Sequence, residues 1–404
     1  PTQFGSPQKI ASQDFSEIDR IAKELNYSGS SIEELAAILT ENSDTEIEQA
    51  RIIYAWVTQH ITYDVAAFLD AVHNDNYPQV NPEKVLRDRT TICSGYSNLY
   101  FALAEAMNLE SVIIAGYAKG ATPDEPKFQD VNHAWNAVKI DHSWYLLDAT
   151  WGAGSVQEEK FKPQYKPYYF GTAHNEFIQN HFPTDQGWHL LSDTYTRAEF
   201  ENLPNASSRF YNLGLELVNH HNYQISTQNR VDLKFKAPQD VVAIAKLKQG
   251  TEELPETSTL ANRKGENLII NVAPPAAGSY DLTIYAKKND DPGKYGEVIN
   301  YQIATDRATS SLPKTYGHFH QHQVSLIEPL TGELETNWSN YFNLVVPQAI
   351  DVQVVNSTTK QWTMLNGYGD YFAGNVDIQP GKTIVIAKFP GDDQYWQLVE
   401  YRSR

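Results

Sequence analysis

The 404-residue chain contains one cysteine, Cys93, which excludes an internal disulfide framework and any Cys-rich zinc or iron-sulfur site. No stretch approaches the run of about 18 apolar residues that a membrane-spanning helix needs. Basic residues are scarce: 32 Lys and Arg stand against 50 Asp and Glu, for a formal charge of −18. Such a field repels phosphate backbones and anionic lipid. Lys and Arg form no run, only pairs such as Lys246 with Lys248 and Lys287 with Lys288, which read as solvated strand ends. Nucleic acid is therefore excluded as an expected partner. An initiator methionine is also missing, since the chain begins at Pro1; this implies removal of an initiator, with room for a signal peptide before it. With the richness in Asn, Gln, Ser and Thr and no targeting signal, it gives the expectation of an exported, bacterial-type protein, periplasmic or extracellular.

What is present is the material of folded domains. The hydrophobic share is 41%, and 8 Trp, 24 Tyr and 16 Phe supply large apolar surfaces. The length exceeds a single core of roughly 100 to 200 residues, so two or three domains are expected. The first 110 residues read as helical: Ser31 with Glu34 makes a capping-box start, Ile47, Ala50, Tyr54, Val57 and Ile61 recur at helical steps around Trp56, and Asn81-Pro82 opens a further short segment. From Ser111 the pattern turns to strands, SVIIAGYAKG, VNHAWNAVKI and WYLLDATWG, with the loop TPDEPKFQD after the first and the turn Asp141-His142-Ser143 pairing the last two. Residues 152–205, with prolines at 163, 167, 183 and 204, read as an irregular aromatic segment wrapped on the first domain. Beyond residue 206 short strands take over, and Tyr280 after a Pro/Gly turn has the placement of a tyrosine corner. TDRATSSLPKTYG marks a second boundary, followed by DVQVV, GNVDI, KTIVIAKF and YWQLVEY.

Cys93 falls in the first turn of a predicted helix with apolar positions Tyr96, Leu99, Leu103 and Met107. Free amides and the helix dipole there favour an anion, and a thiolate is the nucleophile. A base must come from elsewhere: His133 opens a predicted strand 40 residues downstream, and Asp148 lies on the hairpin's second strand 15 residues later. With a two-residue Asp141-His142 loop, Ile140 faces Ser143 and His133 faces Thr150, leaving Asp148 a diagonal neighbour on the same face, roughly 7 to 8 Å away. An odd-length loop would split the pair onto opposite faces. Taken singly, His133 reads as a strand-start histidine, Asp148 as a backbone acceptor and Cys93 as a small buried hydrophobe. Taken together, in this order, they read as a Cys-His-Asp nucleophilic site.

These segments carry a resemblance. WVTQHITYD, CSGYSNLYFALAEAMNL and NHAWNAVKIDHSWYLLDATWG resemble the core blocks of transglutaminase-like cysteine enzymes over about residues 45 to 152. NEFIQNHFPTDQGWHLL, PKTYGHFHQH, LIEPLTGEL and AKFPGDDQYWQLVEY resemble the kyphoscoliosis peptidase branch of that superfamily. The resemblance implies Cys93 as nucleophile, His133 as base and then acid, and Asp148 as the group orienting His133. It implies acyl transfer through a thioester, ending in hydrolysis, transamidation or, in members that have lost activity, a silent binding scaffold. Hydrolysis of peptide or other amide bonds is favoured, because the sequence has no calcium-site cluster such as D-x-D-x-D-G.

The expected fold is α+β: a papain/transglutaminase-like catalytic domain over 1–205, an immunoglobulin-like β-sandwich over 206–305 and a second β-sandwich over 306–404. The oxyanion is expected at the backbone N–H of Cys93, with Tyr63 or Gln59 as further donors whose ordinary role is packing. Trp151 is the candidate for a substrate groove among Trp135, Trp144, Trp188, Tyr168 and Tyr169, most of which read as core. HFHQH sets His318, His320 and His322 on one face of an extended strand, read as a polar surface or interdomain contact in preference to a metal patch. No metal or cofactor is expected. The expected partners are a protein or peptide substrate at the site and a protein or polymer at the sandwiches.

Overall fold

Several helices begin where capping side chains stand. The computed structural model describes residues 10, 13–74, 76, 78, 80–119, 130–192 and 194–403; of the loop TPDEPKFQD, only Asp130 lies within them. Helix α1 (Ser16–Glu24) is followed by α2 (Ile32–Thr40), where Ser31 Oγ accepts the Glu34 N–H at 3.2 Å. The reciprocal half of that box is absent, because the Glu34 carboxylate accepts from the Tyr27 hydroxyl at 2.9 Å. Helix α3 (Glu46–His60) has the full box: Thr45 Oγ1 takes the Glu48 N–H at 3.3 Å and Glu48 takes the Thr45 N–H at 3.1 Å. Strand β1 (Thr62–Tyr63), α4 (Val65–Asn74), α5 (Pro82–Asp88, capped by Asn81 at 2.9 Å), β2 (Thr90–Thr91) and α6 (Cys93–Ala106) follow, and β1 pairs with β2 in parallel.

The stripe expected on α3 becomes burial all round from Ala50 to Thr58, because α1, α2 and α6 pack about it. Arg51 is buried there, with Nε 2.7 Å and Nη2 2.8 Å from the two Asp19 oxygens, a fork that satisfies its charge. Strands β3 (Ser111–Ala118), β4 (His133–Ile140) and β5 (Ser143–Leu147) lie antiparallel. The predicted strand through WYLLDATWG stops at Leu147, and Asp148 caps a short helix, α7 (Ala149–Ala153). Residues 152–205 are not merely connecting. They supply the hairpin of β6 (Gly154–Gln157) and β7 (Lys160–Pro163), helix α8 (His174–Phe177) and β8 (His181–Pro183), which joins β3 to give a sheet in the order β5-β4-β3-β8. Two apolar clusters, one around Trp56, Tyr96 and Leu103 and one around Trp135, Trp144 and Phe177, complete this unit, which ends at Glu201.

The unit from Asn202 to Arg404 is built of strands. A four-stranded and a six-stranded sheet enclose a core around Phe235, Ile270, Leu282 and Ile303, and a second such pair encloses one around Phe342, Val385, Leu398 and Tyr401. Leu260 and Ala273 of the first sandwich belong to the second core, and the Asn262 carboxamide exchanges two hydrogen bonds with the Leu326 backbone, at 2.7 and 2.9 Å. Tyr280 makes its corner, the hydroxyl donating to the Ala276 carbonyl at 2.8 Å. HFHQH is a correction: Gly317–Gln321 is helical, so His318 and His322 stack on one side, 5.7 Å apart, while His320 turns to Thr315 Oγ1 at 3.0 Å. Among the described residues no helix is long and apolar enough to cross a membrane.

Candidate active site

Cys93 is half-buried at the first residue of α6. Its predecessor Ile92 has extended backbone and no capping side chain, so no side chain competes for the first-turn amides. The helix start is pressed against β2. A Cβ at Gly95 would stand 1.9 Å from Thr91 Oγ1, so only glycine admits this approach. Farther along, the Tyr96 hydroxyl donates to the Ile61 carbonyl at 2.7 Å, and the buried Asn136 amide donates to Ser97 at 3.0 Å and Val112 at 3.3 Å, tying α6 to β3 and β4.

The hairpin has the two-residue loop, with Ile140 opposite Ser143 and positive φ at Asp141 (46°) and His142 (67°), as a type I′ turn requires. Its register reaches Asn136 opposite Leu147 and stops. Asp148 follows one residue past the end of β5, and His133 Nε2 meets Asp148 Oδ2 at 2.8 Å. The other oxygen, Oδ1, accepts the N–H groups of Thr150 at 2.8 Å and Trp151 at 3.0 Å.

The charges are coupled. Burial works against a charged His133, but the Asp148 carboxylate and then Cys93, as hydrogen-bond and electrostatic partner, outweigh it and push the imidazole up to about 10. Burial likewise opposes the Asp148 anion, and His133 with His181 outweighs it, holding the carboxyl well below the usual carboxylate range.

His181 escapes the sequence reading. It opens β8, and its Nε2 lies 2.9 Å from Asp148 Oδ2. The donor atoms of His133, Asp148 and His181 lie within 4.8 Å of one another, a spacing that suits a transition metal. At hydrogen-bond distance from one carboxylate oxygen, however, each Nε2 carries a proton where a metal needs a lone pair.

Of the other nominated residues, Tyr63 stands at the site's edge: its ring is 6.5 Å from Tyr96, and burial, then Cys93, drives its hydroxyl far above the ordinary phenol range. Trp151 is half-buried with its ring 5.8 Å from that of His133. Gln59 is not brought there; its amide donates to Ala55 at 3.0 Å and Asp19 at 3.3 Å, between α3 and α1. Trp144 and Trp188 meet edge to face at 5.0 Å in the small core with Trp135, as packing residues.

Helical layers, the antiparallel sheet and a cysteine at a helix start define a class, and the comparisons agree: residues 33–149 match the model of the Transglutaminase-like superfamily. The chain resembles the kyphoscoliosis peptidase branch, and residues 197–311 match the KY-like, immunoglobulin-like domain. It is 31% identical over 298 residues to Kyphoscoliosis peptidase of Homo sapiens, covering 72% of this chain and 43% of that one. It is 30% identical over 222 residues to Hillarin of Drosophila melanogaster, covering 51% of this chain and 26% of that one. The chain thus spans less than half the length of these curated relatives. A crystal structure of a TGase aligns over 38% of this chain and 36% of its own, at 21% identity and a TM-score of 0.23.

Proposed function

We propose that this chain is a cysteine hydrolase of transglutaminase-like type that cleaves peptide or other amide bonds with the triad Cys93, His133 and Asp148. One observation carries the reading: His133 holds the buried Asp148 through Nε2 at 2.8 Å while Cys93 acts on the same ring. With Nε2–H given to Asp148, the proton of the Cys93 thiol passes to the other ring nitrogen, Nδ1. The thiolate attacks an amide carbonyl, whose oxygen develops negative charge beside the first-turn amides of α6. As the C–N bond breaks, His133 returns its proton to the leaving amine. Water, deprotonated by the same ring, then attacks the thioester and releases the acid and the thiol. Asp148 moves no proton; it fixes the ring and balances the imidazolium.

The peptidase named among the relatives favours a peptide substrate, and the absence of a D-x-D-x-D-G loop in this sequence favours water over an amine as acceptor. The sandwiches then hold the catalytic unit on a protein or polymer partner. Iodoacetamide labelling at pH 6 to 7 tests the core of the proposal. Rapid modification of Cys93 that His133→Ala abolishes is expected; a rate no faster than that of a free thiol overturns it. A peptide and glycan-peptide library assayed with and without added amine then separates hydrolysis from transamidation.

A further inference from the structure

The His181 ring is fully buried in an aromatic box, stacked on Phe177 at 4.0 Å, 4.5 Å from Trp151 and edge-on to Trp135 at 5.1 Å. Its Nδ1 is 2.6 Å from Asn180 Oδ1, and its Nε2 is 2.9 Å from the same Asp148 oxygen that His133 meets at 2.8 Å. A carboxylate oxygen offers only lone pairs, so each of the two rings must present an N–H to it.

We propose that His181 is a positioning residue that fixes Asp148 by donating Nε2–H to Oδ2, a role that rests on the hydrolase reading above. With Oδ1 held by the Thr150 and Trp151 amides and Oδ2 by two imidazoles, the carboxylate cannot turn away from His133. His133 is thereby kept with Nε2–H on Asp148 and Nδ1 toward the sulfur, where the proton taken from the thiol stays beside the thiolate. The choice of residue follows. A lysine or arginine at this place would neutralise Asp148 and weaken its hold on His133. Burial instead pushes His181 down to about 4, against the pull of Asp148, so the ring donates while uncharged. In the neutral ring Nδ1 is an acceptor, which requires the Asn180 carboxamide to turn its NH2 to the place where Oδ1 stands, 2.6 Å from Nδ1.

Because Cys93 is the only cysteine, its alkylation by iodoacetamide reads the site without a substrate. His181→Phe fills the aromatic box but donates nothing, whereas His181→Gln can place an amide N–H near the Nε2 position. At pH 6.5, alkylation is expected to slow about tenfold in His181→Phe, the loss of one hydrogen bond to a charged group, and to recover to within about threefold in His181→Gln. A wild-type rate in folded His181→Phe, or an equal loss in both variants, overturns the donor role and leaves His181 a packing residue. The unaltered protein gives a second measurement that needs no variant to fold well. In 15N spectra of its imidazoles, Nε2 of His181 is expected to carry hydrogen at pH 7; an unprotonated Nε2 overturns the proposal. Should wild-type Cys93 react no faster than a free thiol, the hydrolase reading fails separately, and the spectrum still decides whether His181 donates to Asp148.

Discussion

Four N–H groups converge on the two oxygens of Asp148, which is fully buried. Any replacement that turns an acceptor into a donor sets like against like. Asp148→Asn is therefore expected to slow Cys93 alkylation and amide hydrolysis at least about 100-fold, through loss of the anion that orients the His133 ring and holds it charged beside the sulfur. Pseudo-first-order alkylation rates at fixed pH measure it. The histidines also set how stability varies with pH. Folded His181 takes its proton only near pH 4, whereas its ordinary value is 6.5, so between these the unfolded chain binds more protons and stability falls with falling pH. His133 works the other way. Its ring stays charged up to about 10, so its contribution is complete below its ordinary 6.5 and is lost as pH rises toward 10. Asp148, held low, contributes above its ordinary 3.8 and loses this only in stronger acid. The melting temperature of the first unit should thus fall as pH drops below 6.5, while above it the loss at His133 is opposed by Lys119, which burial pushes down to about 7. His181→Gln should flatten the acid side and leave the alkaline side. His60, His174 and His189, also pushed down by burial, add to the acid slope of both proteins, so the difference isolates His181.

At the scale of elements, the site depends on how closely α6 lies on β2. Gly95→Ala puts a methyl group where Thr91 already stands, 1.9 Å from its Oγ1, and Thr91 is itself buried. Overpacking of this kind costs about 1 to 3 kcal/mol. Because the strain falls two residues from Cys93, the variant should both melt earlier and alkylate more slowly, while Gly250→Ala, in open space with φ of 60°, should lower stability without touching the alkylation rate. Elements whose signals are local were legible in the sequence. The caps at Ser31 and Asn81, the helix start at Cys93 and the Asp141-His142 turn each act within a few residues. Asp148 was legible as a partner of His133 but was not read as a cap, although Asp is a favoured N-cap, because the apolar run WYLL before it carried the strand reading onward. His181 left no trace. Its strand is three residues long and takes its place only by pairing with β3, Gly116 opposite Pro183, and such distant pairing has no local pattern. HFHQH misled because alternation was read as a strand, while Gly317 and the packing of Phe319 make one helical turn.

Over the whole molecule, core membership separates the chemistry from the sandwiches. Every buried residue of the two clusters that surround the site lies between Ile10 and Leu190. None comes from beyond Glu201, where the first unit ends. The sandwiches differ from this, since Leu260 and Ala273 of one are buried in the core of the other, and the Asn262–Leu326 bonds join them. Cutting between the sandwiches would leave those two side chains and an amide without partners, whereas the two clusters around the site contain no buried residue from beyond Glu201. A chain ended at Glu201 is accordingly expected to melt in one cooperative transition and to alkylate Cys93 within about twofold of the full chain, the additivity expected of independent regions. Circular dichroism and iodoacetamide kinetics on the same preparation check both halves of that expectation. A cooperative fold with a rate changed tenfold or more would mean that the second unit acts on the reactivity of Cys93 itself.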